Sequence, residues 1–285
     1  MLSKNSLQPP NLFLLQEEKR ILLQGNDFIN LLPHADIKNC ISNYMIGFPT
    51  EENNSYGLVP HTGAMLFIQH DASNLSLTLY GNLAKPSFID NLTGVLIIIT
   101  FQPAELYTLT GVDQSSLTSE TIPFEAVNPA LNRLITKAIK TAENIQELVV
   151  ELDTLFLEKA KAAYPSQVKF AIQKMLDCLG NTTVKKISAE THYSERQLNR
   201  FFVQHVGVSI KGFLRLVRVG NAFQLLENNH ASITSISDLL GFNSISHFIR
   251  DFKALSGFTP QQYRNIMKDF NEKQQTVGSQ NGHII

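Results

Sequence analysis

The feature that most constrains this sequence is an internal repeat in its C-terminal part. Four positions, Ile187, Ser188, Tyr193 and Ser194, are matched 49 residues later by Ile236, Ser237, Phe242 and Asn243. After one inserted residue the offset is 50, and six more positions match: Leu198, Arg200, Phe202, Gly207, Ser209 and Phe213 with Phe248, Arg250, Phe252, Gly257, Thr259 and Tyr263. A segment repeated in this way is one supersecondary unit used twice, and here its apolar residues recur at helical spacing. This part of the chain is therefore predicted to fold as two similar helical units.

Each copy has the pattern of a short helix, a turn and a second helix. The expected N-caps of the second helices are Ser194 and Asn243, and the inward-facing pairs are Leu198 with Phe202 and Phe248 with Phe252. The outward positions are Arg196, Asn199 and Arg200 in the first copy and Ser246, His247 and Arg250 in the second. Two helices joined by a short turn form a helix-turn-helix, whose second helix enters the major groove of DNA. The outward side chains offer the donors and acceptors that base edges require. The alternative for the first copy is an ordinary solvated helix face, and the alternative for Arg250 is a structural role in which it pairs with Asp251, Asp238 or a helix carbonyl.

A segment with one apolar side, residues 209–228, joins the two copies. Its periodicity predicts one rigid helix, which would hold the two recognition helices about one turn of DNA, roughly 34 Å, apart. Lys185, Lys186 and Arg218 are predicted to contact phosphates, and an ordinary solvated charge is the alternative for each. Such contacts position a protein on DNA without reading its sequence.

Charge is divided unevenly along the chain. Residues 1–165 contain 10 Lys and Arg against 17 Asp and Glu, whereas residues 166–270 contain 13 against 7. A basic segment in an otherwise acidic chain favours a polyanionic partner for that segment. Because Pro165 interrupts the helical pattern, we expect one domain over 1–165, a DNA-binding domain over 166–270 and a loose polar tail over 271–285. A regulatory, sensor or dimerisation role for residues 1–165 is implied only by the family resemblance described below.

The N-terminal part alternates short apolar segments with turns, which predicts a β-rich α+β domain. Segments with strand character lie at 41–48, 64–69, 75–80 and 95–101, and helical segments at 103–111, 128–139 and 142–162. The last helix has an apolar stripe that includes Leu148, Leu152 and Leu155. This stripe would pack either on the domain's own sheet or against a second copy of the chain. The C-terminal part, in contrast, is predicted to be all-α.

The sequence carries no motif that indicates an enzyme. Nucleophile-elbow, phosphate-loop and dinucleotide-binding patterns are absent. Cys40 and Cys178 lie far apart, and His34, His61 and His70 have no ligand set around them, so no catalytic residue, cofactor or metal site is predicted. An enzymatic or metal-binding N-terminal domain fused to a DNA-binding module is the alternative. The sparse cysteines and the lack of an export signal or long apolar segment predict a cytoplasmic protein without membrane contact.

The C-terminal part resembles the DNA-binding domain of AraC-type bacterial transcription regulators. The resemblance covers residues 168–268 and is carried above all by Gly241, Phe242, Phe248, Arg250, Phe252, Gly257, Pro260, Tyr263 and Arg264. It implies a sequence-specific regulator of transcription that binds double-stranded DNA, with the six outward positions contacting bases. Ser188 and Ser237 replace the family's usual alanine, and His192 stands where the first turn often has glycine. RNA polymerase, a small-molecule effector and a second copy of the chain are left open as further partners.

The N-terminal part is similar, over fewer residues, to the sensor domains that precede this DNA-binding domain. The similarity lies in residues 32–33, 41–44, 60–63, 101–103 and 109–111. The family usually has Pro-Asp-Gly at the turn where this chain has Pro60-His61-Thr62-Gly63. The resemblance implies a barrel-like regulatory domain and identifies no ligand.

Overall fold

The computed structural model describes residues 28–49, 56–58, 60–82, 86–159, 164–228 and 231–268. Its strands are β1 (Phe28–Leu31), β2 (Ile41–Gly47), β3 (Tyr56–Leu58), β4 (Met65–His70), β5 (Leu75–Tyr80), β6 (Ser87–Ile89), β7 (Val95–Phe101) and β8 (Thr121–Pro123). Its helices are α1 (Glu105–Thr110), α2 (Phe124–Val127), α3 (Pro129–Thr141), α4 (Ile145–Lys159), α5 (Ser166–Asp177), α6 (Val184–Thr191), α7 (Glu195–Val206), α8 (Ile210–Asn228), α9 (Ile233–Leu239) and α10 (Ile245–Ser256). A 3₁₀ helix spans Gln114–Leu117, and residues 260–268 are helical. The tail expected over 271–285 lies outside the described residues.

Six antiparallel strands form the main sheet of the N-terminal part. Their order is β1-β2-β7-β4-β5-β8, and β3 pairs with β6 in a separate two-stranded sheet. In the centre, Tyr44 on β2 lies opposite Ile99 on β7, and a bulge interrupts β2 between Ile41 and Asn43. The four segments predicted as strands coincide with β2, β4, β5 and β7 to within one residue at either end.

Helices cover one face of this sheet, and the β3–β6 pair covers the other. The helical residues buried against the sheet include Leu131, Ile135, Leu148, Leu152 and Phe156. On the opposite face, Tyr56 and Leu58 pack over Met45, Met65 and Phe67. Since Leu148 and Leu152 are buried inside this chain, the apolar stripe of α4 packs on its own sheet, and these two side chains are not available to a second copy.

The barrel-like form implied for this domain is wrong, because the sheet is open. Within the described residues, β1 pairs with β2 alone and β8 with β5 alone. β8 ends at Pro123, which has no N–H to donate to another strand, and the chain then enters α2. The alternation of side chains along a strand is the same in an open sheet as in a barrel, so it does not reveal whether the edges meet.

Two apolar clusters form the core of the C-terminal helices, one for each copy of the repeat. The first cluster contains side chains of α5, α6, α7 and the beginning of α8, among them Ile187, Leu198, Phe202, Ile210 and Phe213. The second contains the rest of α8 with α9 and α10, among them Phe223, Leu226, Ile236, Phe248 and Phe252. Because α8 contributes to both cores, it connects the two units as one rigid helix, as predicted.

The predicted division of the chain falls next to the start of α5 at Ser166. The boundary itself stays a prediction. In the part of the chain that the structure describes, no helix is both long and apolar enough to span a membrane.

Candidate nucleic-acid interface

The first helix-turn-helix unit consists of α6, a turn at His192 and α7. Ser194 Oγ accepts a hydrogen bond from the Gln197 amide (3.2 Å) and caps α7, as predicted. His192 ends α6 with φ 58°, a left-handed conformation that histidine tolerates better than most residues. The buried Ser188 hydroxyl donates a hydrogen bond to the Tyr193 carbonyl, so the serine that departs from the family pattern closes the turn.

The outward face of α7 presents two arginines and an asparagine with different surroundings. Arg196 and Arg200 are exposed, and the Arg200 guanidinium lies 5.4 Å from the centre of the Phe201 ring. Asn199 is half-buried, and its Oδ1 accepts a hydrogen bond from the Ile210 amide (3.1 Å). The two arginines are thus directed to solvent, whereas Asn199 also joins α7 to the start of α8.

The second unit repeats this geometry with a longer turn. Ser244 Oγ accepts a hydrogen bond from the His247 amide (3.1 Å), so Ser244 is the N-cap of α10 and the prediction of Asn243 is wrong. Gly241, with φ 69°, lies 49 residues after His192, whereas Ser244 lies 50 residues after Ser194. The residue inserted between the copies therefore belongs to this turn.

A buried carboxylate holds the outward face of α10 in place. Asp251 is 7% exposed, and its two oxygens lie 3.2 Å from Arg215 Nε on α8 and 3.1 Å from His247 Nε2. Breaking such a buried pair is costly, because the remaining charge is left without compensation. Ser246 and Arg250 are exposed on the same helix. Sequence reasoning missed the role of Arg215, although the spacing of His247 and Asp251 at i and i+4 was a usable signal.

The other basic residues fall into two groups. Lys185 and Lys186 are exposed on the first turn of α6. Arg218 is half-buried, where its guanidinium donates to the Gly180 carbonyl (3.3 Å) and lies 5.2 Å from the centre of the Phe242 ring. Burial lowers the pKa of Arg218. These contacts connect α8 to the loop between α5 and α6 and to the turn of the second unit. The phosphate contact of Arg218 stays a prediction.

Two residues of the N-terminal part contact the end of α7, and no local sequence signal predicts them. Asn82 Nδ2 donates a hydrogen bond to the Val206 carbonyl, and Thr118 Oγ1 donates to the Gly207 carbonyl (2.7 Å). The partners are 124 and 89 residues apart. No periodicity or motif connects positions at such separations.

Comparisons with known proteins agree with this geometry for the C-terminal part. Residues 187–266 match the helix-turn-helix domain family. The chain is similar to the uncharacterised HTH-type transcriptional regulator YfiF of Bacillus subtilis (34% identity over 83 residues), the F1 operon positive regulatory protein of Yersinia pestis (38% over 74) and the transcriptional activator RhaR of Escherichia coli K12 (37% over 81).

These similarities are confined to part of each protein. They cover 29%, 26% and 28% of this chain and 26%, 25% and 29% of the respective relatives, so the chain matches little more than a quarter of their length. The solved structure of ToxT from Vibrio cholerae O395 aligns over 85% of this chain and 97% of its own, with a TM-score of 0.39 and 15% identity. Residues 187–266 are thus a helix-turn-helix domain of the AraC type.

Proposed function

We propose that the protein is a transcription regulator that binds specific sequences of double-stranded DNA through α7 and α10. One observation carries the proposal: two helix-turn-helix units, each with an exposed arginine-bearing face on its second helix, are fixed to the single helix α8. Recognition helices that present such faces read base edges in the major groove. The relatives named above are regulators of transcription, which supports the same role here.

The predicted DNA contacts have separate tasks in this proposal. Arg196, Arg200, Ser246 and Arg250 are exposed and read bases, whereas Lys185 and Lys186 neutralise phosphates. Asn199 Oδ1 and His247 Nε2 have partners within the protein. These two residues contact bases through their remaining hydrogen-bonding groups. Affinity that depends on neutralised phosphates falls steeply as the salt concentration rises.

The N-terminal domain acts in this proposal as the regulatory part of a cytoplasmic protein. It packs directly on α7, which gives it a physical route to the DNA-binding unit. A small-molecule effector, RNA polymerase and a second copy of the chain are the further partners that regulators of this kind would need.

The structure offers no support for the alternative of an enzymatic or metal-binding N-terminal domain. Among the described residues, no group of three or more His, Cys, Asp and Glu side chains is placed to hold a metal ion. Burial raises the pKa of Cys40 to about 12, so this thiol stays protonated at neutral pH and is a poor nucleophile.

Selection of binding sites from random duplex DNA tests the proposal. We expect the full chain to enrich a two-part site and to bind it more tightly than a scrambled duplex at every salt concentration.

The variant Arg200→Ala tests one residue of this interface. It should lower the binding free energy by about 1 to 3 kcal/mol at one base position, whereas Arg133→Ala, which removes an exposed arginine from α3, should leave DNA binding unchanged. Failure to enrich any sequence at low salt would overturn the proposal, and an equal loss on all sequences would make Arg200 a phosphate contact.

A further inference from the structure

The C-terminal end of α7 is held by side chains from the N-terminal domain. The last carbonyls of an α-helix have no partner within the helix. At the end of α7, the Gly207 amide reaches back to the Phe202 and Val203 carbonyls. Two of the carbonyls further along, those of Val206 and Gly207, accept hydrogen bonds from Asn82 and Thr118. The cap of this recognition helix is thus completed by residues of another domain.

The surrounding packing shows that this contact is close and extends beyond two hydrogen bonds. A side-chain carbon placed on Gly207 would lie 3.0 Å from the Gln114 carbonyl oxygen and 3.0 Å from Thr118 Oγ1. His205, 4% exposed, packs its ring edge-on against Tyr107 of α1, with the ring centres 4.4 Å apart. The surface of the N-terminal domain therefore follows the last turn of α7 closely.

The second unit supplies a comparison within the same chain. Gly257 ends α10 as Gly207 ends α7, with φ 83° and 86° respectively. A side-chain carbon on Gly257 would meet no described atom within 4 Å. The two copies of the repeat thus differ at this point: the N-terminal domain covers the end of α7, whereas no described residue covers the equivalent glycine at the end of α10.

The contact lies at the opposite end of α7 from its first turn. Arg196 and Arg200 precede Val206 by ten and six residues, which corresponds to about 15 and 9 Å along a helix. The N-terminal residues of a recognition helix are the ones that contact base edges. The N-terminal domain can therefore hold α7 while its reading face is on DNA.

We propose that Asn82 and Thr118 are positioning residues that cap the first recognition helix from the N-terminal domain, so that this domain controls reading by α7 and leaves reading by α10 unaffected. This inference rests on the proposed function, because it assumes that both helices read DNA. A change in the N-terminal domain that withdraws either donor would loosen α7 and leave α10 in place. Regulation would then act on one half-site of the DNA.

The test uses the full chain with Thr118→Val, which keeps the shape of the side chain and removes the hydroxyl. Thr110→Val is the matched control, since Thr110 Oγ1 donates to the Leu106 carbonyl (2.8 Å) inside the N-terminal domain. Without DNA, hydrogen exchange of amides in the last turn of α7 should become about fivefold faster in Thr118→Val, and exchange at the end of α10 should not change. Asn82→Leu should have the same effect as Thr118→Val.

With DNA, the measured quantity is the loss of affinity when one half of the selected site is scrambled. The half read by α7 is the one that contains the base position at which Arg200→Ala loses discrimination. In Thr118→Val we expect discrimination at that half to fall about fivefold and discrimination at the other half to stay at the wild-type value. An equal fall at both halves, or no fall at either, would overturn the inference.

The exchange experiment keeps the two proposals separate, because it needs no DNA. If the wild-type chain selects no sequence but Thr118→Val loosens α7 alone, the proposed function fails and the cap stands. If the wild-type chain selects a site but exchange at the end of α7 is unchanged in both variants, the cap fails and the proposed function stands.

Discussion

Asn199 shows how a single contact changes the role that a position suggests. An asparagine reads adenine by using its carboxamide oxygen and nitrogen together. In this protein the oxygen already accepts a hydrogen bond from the Ile210 amide, which fixes the carboxamide's orientation and leaves one acceptor site of the oxygen and the nitrogen for a base. The helical pattern places Asn199 on the outward face correctly, but it contains no information about a partner eleven residues away. The exposed Arg196 and Arg200 are therefore the stronger candidates for reading bases.

His61 is the residue whose protonation most directly links pH to stability. Its ring is buried, and Nδ1 accepts a hydrogen bond from the Gly63 amide (3.2 Å). Burial lowers the pKa of His61 to about 4, whereas an unfolded histidine titrates near 6.5. Below pH 6.5 the unfolded chain binds a proton that the folded chain does not, so stability is lost as the pH falls toward 4. We expect a loss of about 2 kcal/mol from this residue between pH 7 and pH 5.

Denaturant unfolding of His61→Asn at several pH values measures this loss. Asparagine preserves an acceptor for the Gly63 amide and does not titrate, so the variant should lose about 2 kcal/mol less than the wild type between pH 7 and pH 5. His34→Asn is the control, because His34 Nδ1 also accepts from the amide two residues later but the ring is exposed. If the free energy of unfolding changed with pH in the same way in the wild type and in His61→Asn, the prediction would be contradicted.

At the scale of single elements, the start of α10 gives a test of the corrected cap. Ser244 Oγ accepts a hydrogen bond from the His247 amide, and Asn243 is exposed in the turn before it. Ser244→Ala should lower the free energy of unfolding by about 1 kcal/mol, the usual cost of losing an N-cap. Asn243→Ala should cost much less, because its side chain does not cap the helix. Thermal or denaturant unfolding distinguishes the two, and a larger loss for Asn243→Ala would restore the cap expected from the sequence.

The elements that the sequence predicts well are those defined by local periodicity. The alternation of Leu75, Leu77 and Leu79 with polar neighbours predicts β5 with its observed bounds, and the apolar spacing around Leu198 and Phe202 predicts α7. The position of the inserted residue in the second turn was not predicted, because Asn243 and Ser244 are both good caps. Sheet closure and the contact of Thr118 with Gly207 depend on distant parts of the chain, which local periodicity does not encode.

The whole molecule combines two reading units with one stiff connector, and this arrangement restricts the DNA that it can bind. α8 contains 19 residues, which corresponds to a length of about 28 Å. This length is close to one turn of DNA, roughly 34 Å, and both ends of the helix are fixed in the two apolar cores. The connector cannot stretch or bend without breaking that packing.

Binding to duplexes with altered spacing between the two half-sites tests this rigidity. Five inserted base pairs turn the second half-site to the opposite side of the duplex, and ten restore its orientation at about 34 Å greater distance. A rigid α8 should lose the contribution of one half-site in both cases, so that each duplex binds with the affinity of a duplex that carries a single half-site. A flexible connector would recover affinity at ten inserted base pairs. Gel-shift titration of the unaltered duplex and of the two duplexes with insertions distinguishes a rigid from a flexible connector. Recovered affinity at ten inserted base pairs would show that the two units move independently.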